Sequence, residues 1–175
     1  GNTSDMVVVY YSPPSCLRVL DPRQNKTSPY LPDQLSKALF ISDVTQIIPD
    51  SESAIPPASI FGGEPEPGWC YYFEKADLAL QVEDWDTIVL LGEKASDANL
   101  EPADPTEYLV LIEGYAHTGD WEKVKILAGK AMKLNRNVNP QLCNLTVRLT
   151  NNLPDTEFNR TGIDDLQTTY QCSGN

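Results

Sequence analysis

"VEDWDTIVLLGEKA" (Val82–Ala95) and "TGDWEKVKILAGKA" (Thr118–Ala131) lie 36 residues apart and align without a gap. Five of the fourteen positions are identical: Asp84/Asp120, Trp85/Trp121, Leu91/Leu127, Lys94/Lys130 and Ala95/Ala131. Others keep their character, such as Ile88/Val124 and Gly92/Ala128. In each copy an aspartate stands just before the apolar pattern, where its carboxylate can cap a helix start. Ile88, Leu91 and Ala95 then recur at i, i+3 and i+7, one face of a helix. A helix of one type recurring at a fixed period predicts a structural repeat.

The flanking sequence supplies the other half of each unit. "WCYYFEKADLALQV" is helical in period, with Tyr72, Ala76 and Ala79 on one stripe, and precedes a helix over 85–98. "DPTE" opens a helix over 105–118: Asp104 caps, Pro105 takes the first position, and Glu107 has capping-box spacing. That helix ends at Gly119, and Asp120 caps the next, over 121–135. "NPQLCNLTVRLTNN" repeats the device, with Asn139 as cap, Pro140 at the first position and Leu142, Leu145 and Leu149 as the stripe. Short loops within each pair force antiparallel neighbours. Residues 152–175 show no clear period and read as a tail.

Residues 69–136 resemble the tetratricopeptide repeat, a helix–turn–helix unit of roughly 34 residues. In the second copy Tyr108, Leu111, Tyr115, Gly119-Asp120-Trp121, Val124, Ala128 and Ala131 stand where that pattern has large, aromatic, turn and small residues. Ile112 departs from it, as does Lys75 in the first copy, which otherwise fits through Tyr72, Ala76, Ala79, Asp84-Trp85, Ile88, Gly92 and Ala95. The resemblance implies a mainly α fold: an α-α superhelix of two hairpins plus a capping helix, preceded by an irregular, partly β segment. It implies a protein-interaction or scaffolding role without catalysis. Its groove would be lined by the first helix of each unit, with Tyr72, Lys75, Tyr108, Leu111 and Tyr115 as binding candidates wherever they are exposed. Over residues 7–150 the chain also looks like the soluble C-terminal portion of large bacterial membrane proteins of the glycosyltransferase type. That likeness implies an extracytoplasmic appendage, with saccharide binding or accessory work in glycan transfer as the alternative role. Gly1 reads as the scar of tag cleavage, and the chain as a fragment of a longer, membrane-anchored protein.

Before the repeats, "MVVVYY" (6–11) reads as a short strand and Leu17–Leu20 as a second extended piece. "PDQLSKALFI" reads as a helix. Residues 42–68, with five prolines and the "FGGEPEPG" turns, read as a long connection packed over the helices. This N-terminal region is expected to cover the open end of the stack, because a repeat unit cannot bury both its faces alone.

Composition narrows the function. At 41% hydrophobic the chain can build a core, so disorder is excluded. A net charge of −12 disfavours nucleic acid, which needs a basic surface. The charge is uneven: residues 43–122 carry a net −16 and residues 123–148 a net +6. Lys123, Lys125, Lys130, Lys133 and Arg136 therefore suggest a basic docking face, set against ordinary helix-dipole matching. No run is long and apolar enough to span a bilayer.

Cys16, Cys70, Cys143 and Cys172 lack zinc spacing. Cys16 and Cys172 lie in segments with little else to pin them, which favours disulfides Cys16–Cys70 and Cys143–Cys172 and an oxidising compartment; four reduced core cysteines are the other reading. The sequons at Asn2, Asn25, Asn144 and Asn159 read as chance matches. The lone His117 ends a helix and fits a C-terminal helix charge or a surface hydrogen bond. No catalytic pair, metal site or cofactor motif stands out, and a protein or peptide partner is the expectation.

Overall fold

The structure is a computed structural model describing residues 6–26, 31–48, 56–63 and 65–172. Among these residues it is mainly helical with one two-stranded sheet. In chain order the elements are β1 (Val9–Tyr10), β2 (Arg18–Val19), α1 (Pro22–Asn25), α2 (Asp33–Ala38), α3 (Ala58–Phe61), α4 (Trp69–Gln81), α5 (Trp85–Asp97), α6 (Tyr108–His117), α7 (Trp121–Leu134), α8 (Asn139–Asn152) and α9 (Glu157–Thr169).

The two quoted stretches fold alike, bond for bond. Glu83 (φ 57°) and Gly119 (φ 82°) both take the left-handed backbone that ends the first helix. The next amide reaches back across the turn: Asp84 N–H donates to the Ala79 carbonyl (3.0 Å), and Asp120 N–H to that of Tyr115 (2.9 Å). The carboxylate then caps the second helix, Asp84 accepting from the Thr87 amide (3.1 Å) and Asp120 from that of Lys123 (3.0 Å). Glycine takes the left-handed turn without cost and glutamate does not.

A third hairpin follows, where the sequence reads as a tail. Thr156 lies 36 residues after Asp120 and accepts from the Asn159 amide (3.1 Å), starting α9. Glu157 stands where Trp85 and Trp121 stand; in the buried stripe of α9 Ile163 keeps the Leu91/Leu127 position, while Gly162 and Leu166 occupy new ones. Disulfide Cys143–Cys172 ties the end of this hairpin to α8, with Cα atoms 5.2 Å apart.

Helices pair as α4/α5, α6/α7 and α8/α9, while α4 lies beside α6 and α6 beside α8. Their shared core includes Ile88, Ile112, Val124, Leu145 and Leu149, all fully buried. Close packing needs small residues: a Cβ on Gly114 would stand 2.4 Å from Ile88 Cγ2. Two local expectations change. The start of the expected 105–118 helix is a 3-10 turn (Pro105–Glu107), and α6 begins at Tyr108. Asn139 does not cap α8; Asn135 caps the preceding turn, and Asn139 donates to the Tyr170 carbonyl (3.1 Å).

The N-terminal region is thinner than its sequence suggests. The strand shrinks to Val9–Tyr10, which pairs antiparallel with β2 in register Val9↔Val19. The helix read in "PDQLSKALFI" is α2 followed by a 3-10 turn, Leu39–Ile41. Within the 42–68 connection, residues 49–55 and 64 lie outside the described residues. Residues 42–47 lie beside Gln81 and Val82, whereas every residue of 56–63 is exposed.

Candidate functional site

The N-terminal segment meets the stack through the first helices of its units. It crosses the face shared by the first helices α4, α6 and α8. Disulfide Cys16–Cys70 bonds it to the start of α4, with Cα atoms 5.2 Å apart. Glu107, fully buried at the entry to α6, accepts from the Cys16 amide (2.8 Å) and from Trp69 Nε1 (2.7 Å). Its side chain thus serves the N-terminal segment instead of closing a capping box. Burial raises its pKa, while the Cys16 amide, the Arg18 charge and the Trp69 indole act the other way. Arg18 lies 2.9 Å from Asp104 and 3.6 Å from Glu107, with its guanidinium 5.9 Å from the Phe73 ring centre.

Beneath Arg18 and Gln24 lies an enclosed polar cavity of about 40 Å³, room for roughly two or three waters. Asp77 on α4, Glu113 on α6 and Arg148 on α8 line it. Asp77 and Glu113, 36 residues apart, hold matching positions of successive first helices, and Arg148 lies one residue before the third such position. Arg148 forks onto Glu113 through Nε (3.2 Å) and Nη2 (2.7 Å), a bidentate charge-assisted pair. Asp77 is pushed up to about 7, chiefly by burial, with the Arg18 charge opposing the rise. These charged groups went unread in the sequence. Glu113 gives the clearest signal, as a carboxylate inside the otherwise apolar run "YLVLIEGYA".

The residues predicted to bind sit elsewhere. Tyr108, Leu111 and Tyr115 are only 4–5% exposed. They form the stripe that faces the second helices: a Cβ on Gly92 would meet Leu111 at 3.1 Å and the Tyr115 hydroxyl at 3.4 Å. Burial raises both tyrosines to about 12. The stripe packs hairpin against hairpin and is nearly all buried. Tyr72 is half-buried, edge-on to Tyr71, and Lys75 is exposed with its ammonium 4.4 Å from the Tyr71 ring. Tyr108, Leu111 and Lys130 do converge, with Trp69, on a separate cleft of about 280 Å³.

The basic docking face is also divided. Lys130 pairs with Glu101 (2.9 Å), while Lys125 points the other way and pairs with Asp165 on α9 (2.8 Å). Lys123 is half-buried with its ammonium 6.0 Å from the Tyr115 ring, and Lys133 lies exposed near Arg136 at the far end of α7. Helical spacing keeps Lys123, Lys130 and Lys133 on one side of α7 and turns Lys125 away from them.

No protein-family model matches the chain. Comparisons with curated proteins and with solved structures likewise return no match.

His117 stacks flat on Trp85, with ring centres 3.7 Å apart and planes 7° apart. Its Nε2 is buried without a hydrogen-bond partner, and burial lowers its pKa against the pull of Glu113 and Glu83. It is therefore the neutral base, not the helix-end charge expected. Among the described residues no three His, Cys, Asp or Glu side chains converge on a metal position, and no helix is long and apolar enough to cross a membrane. Asn25 uses its amide oxygen to accept from the Asp21 amide, and Asn159 donates its side-chain amide to the Pro154 carbonyl. Asn144 is half-buried, and Asn2 lies outside the described residues. The two disulfides are the mark of an oxidising environment.

Proposed function

We propose that this chain is a non-catalytic interaction or scaffolding module, carried on the extracytoplasmic side by a larger bacterial membrane protein. Its fold is a tetratricopeptide-like superhelix of three hairpins. Support for the repeat comes from the helix caps at Asp84, Asp120 and Thr156, spaced 36 residues apart, and from the matching turns. The disulfides support the compartment.

One observation carries the functional reading: apart from Asp77, the charged groups of the shared inner face are paired within the molecule. Glu113 is clamped by Arg148, Glu107 is filled by Cys16 N–H and Trp69, and Arg18 lies against Asp104. Buried, paired carboxylates are poor proton carriers and good fixers of geometry. Binding then falls to the outer surfaces.

The test is cross-linking of the full-length protein in intact membranes, followed by reconstitution of each identified protein with the purified domain. A partner that binds directly, with a dissociation constant of about 10 µM or tighter, supports the reading. Saccharide binding on a glycan array, or turnover of a glycosyl donor by the domain alone, with no protein partner reconstituted, would overturn it in favour of the glycan role.

A further inference from the structure

Several aromatic rings in this molecule carry a basic group from the chain itself. The Lys75 ammonium sits 4.4 Å from Tyr71, the Arg18 guanidinium 5.9 Å from Phe73 and the Lys123 ammonium 6.0 Å from Tyr115. Phe158, at the start of α9, is 61% exposed, and no such group faces it among the described residues. It borders an open groove of about 540 Å³ between the first turns of α7 and α9, whose walls also include Trp121, Glu122, Glu157 and the Lys125–Asp165 pair.

The charge of this groove selects its occupant. Lys125 neutralises Asp165, leaving Glu122 and Glu157. Each helix N-terminus contributes roughly half a positive charge, so the two carboxylates outweigh the two helix ends. An anion is repelled. A cation is attracted, and a planar one gains most, because it can lie on a ring while its edge meets a carboxylate through paired hydrogen bonds. In this groove Glu157 holds the repeat position that in the two earlier hairpins belongs to tryptophan.

We propose that this groove receives an arginine side chain of a partner protein, stacked on Phe158 and held by Glu157 and Glu122. The inference rests on the interaction-module reading and names the chemistry of the partner.

Amide spectra of the full, isotope-labelled chain would be recorded against acetyl-Gly-Arg-Gly-amide and against its neutral citrulline counterpart. The arginine peptide should shift the Trp121 indole signal and the Glu157–Thr161 amides saturably, with at least tenfold weaker binding at 500 mM than at 50 mM salt. The citrulline peptide should leave them unmoved. Phe158→Ala and Glu157→Gln should each weaken binding at least fivefold. Both side chains are exposed, so an unchanged spectrum elsewhere shows that the fold persists. Equal shifts with citrulline, unaltered binding by Phe158→Ala, or stronger movement of the same signals by a neutral oligosaccharide such as maltotriose would overturn the proposal. A reconstituted partner that binds Phe158→Ala as well as the natural chain removes this groove but leaves the module reading intact.

Discussion

The helical stack and the segment lying across it are held by different forces. The stack buries a continuous apolar core, and among the described residues buried in that core only Cys16 precedes residue 69. The crossing segment buries Leu20 and Leu39 apart from that core, and is tied to the stack by one disulfide, by Glu107 and by the charges around Arg18. Apolar burial is spread over many contacts and tolerates small errors, whereas a covalent tie concentrates its effect in one bond. The segment should therefore come loose as a unit while the stack remains.

Removing the tie gives the largest expected effect. Cys16 and Cys70 are 54 residues apart, so losing their disulfide should cost about 4 kcal/mol on chain-entropy grounds. Hydrogen exchange of Cys16→Ser/Cys70→Ser should show lost protection at the Leu20 amide, which donates to the Val8 carbonyl, and unchanged protection in α6 and α7. Equal loss in α6 and α7 would mean that the two regions unfold together and that the contrast drawn here is wrong.

Within the stack the comparable weak point is steric. A Cβ on Gly162 would lie 2.1 Å from Trp121 Cδ2, so α9 must move away to admit it. Gly162→Ala should cost about 2–3 kcal/mol in urea unfolding and lower the protection of α9 first. Unfolding confined to α8 and α9 would show that the third hairpin is a separable cap.

Asp77 sits where the two regions meet. Folded, it keeps its proton up to about pH 7; unfolded, it loses it near the ordinary aspartate value of about 4. Between those values the unfolded chain has released a proton that the folded chain retains. This group's contribution to stability is therefore full below about pH 4, falls as pH rises to about 7, and is flat above. Asp77→Asn should raise stability at pH 8 by on the order of 2 kcal/mol and change it little at pH 4. Denaturant midpoints at the two pH values decide it, and an equal gain at both would remove burial of the charge as the cause.

What the sequence made legible follows the same division. The caps, the turns and the tryptophans depend on local chemistry, and the repeat displays that chemistry twice. The disulfide pairing was open to argument from segments that lacked another anchor. The inner face was not, because facing direction is a tertiary property. Tyr108, Leu111 and Tyr115 look like a recognition stripe, yet helix geometry turns them toward α5 and α7, and the polar positions beside them, Asp77 and Glu113, face inward. α9 stayed hidden because Glu157 replaces the signature tryptophan and most of the apolar stripe shifts register, so that of the earlier pattern only the cap at Thr156 and the apolar Ile163 survive.

The smallest predicted effect isolates propensity from packing. Gly129 lies in the middle of α7, exposed, and a Cβ added there meets nothing within 4 Å. Gly114 and Gly162 are glycines because a neighbouring side chain occupies the space; Gly129 has no such neighbour. Its glycine only widens the conformational freedom of the unfolded chain. Gly129→Ala should therefore stabilise the protein by about 0.5–1 kcal/mol, read from the denaturant midpoint at unchanged slope. A loss in its place would mean that the exposed side of α7 is covered in solution, and size-exclusion chromatography with light scattering would then reveal a second copy against it.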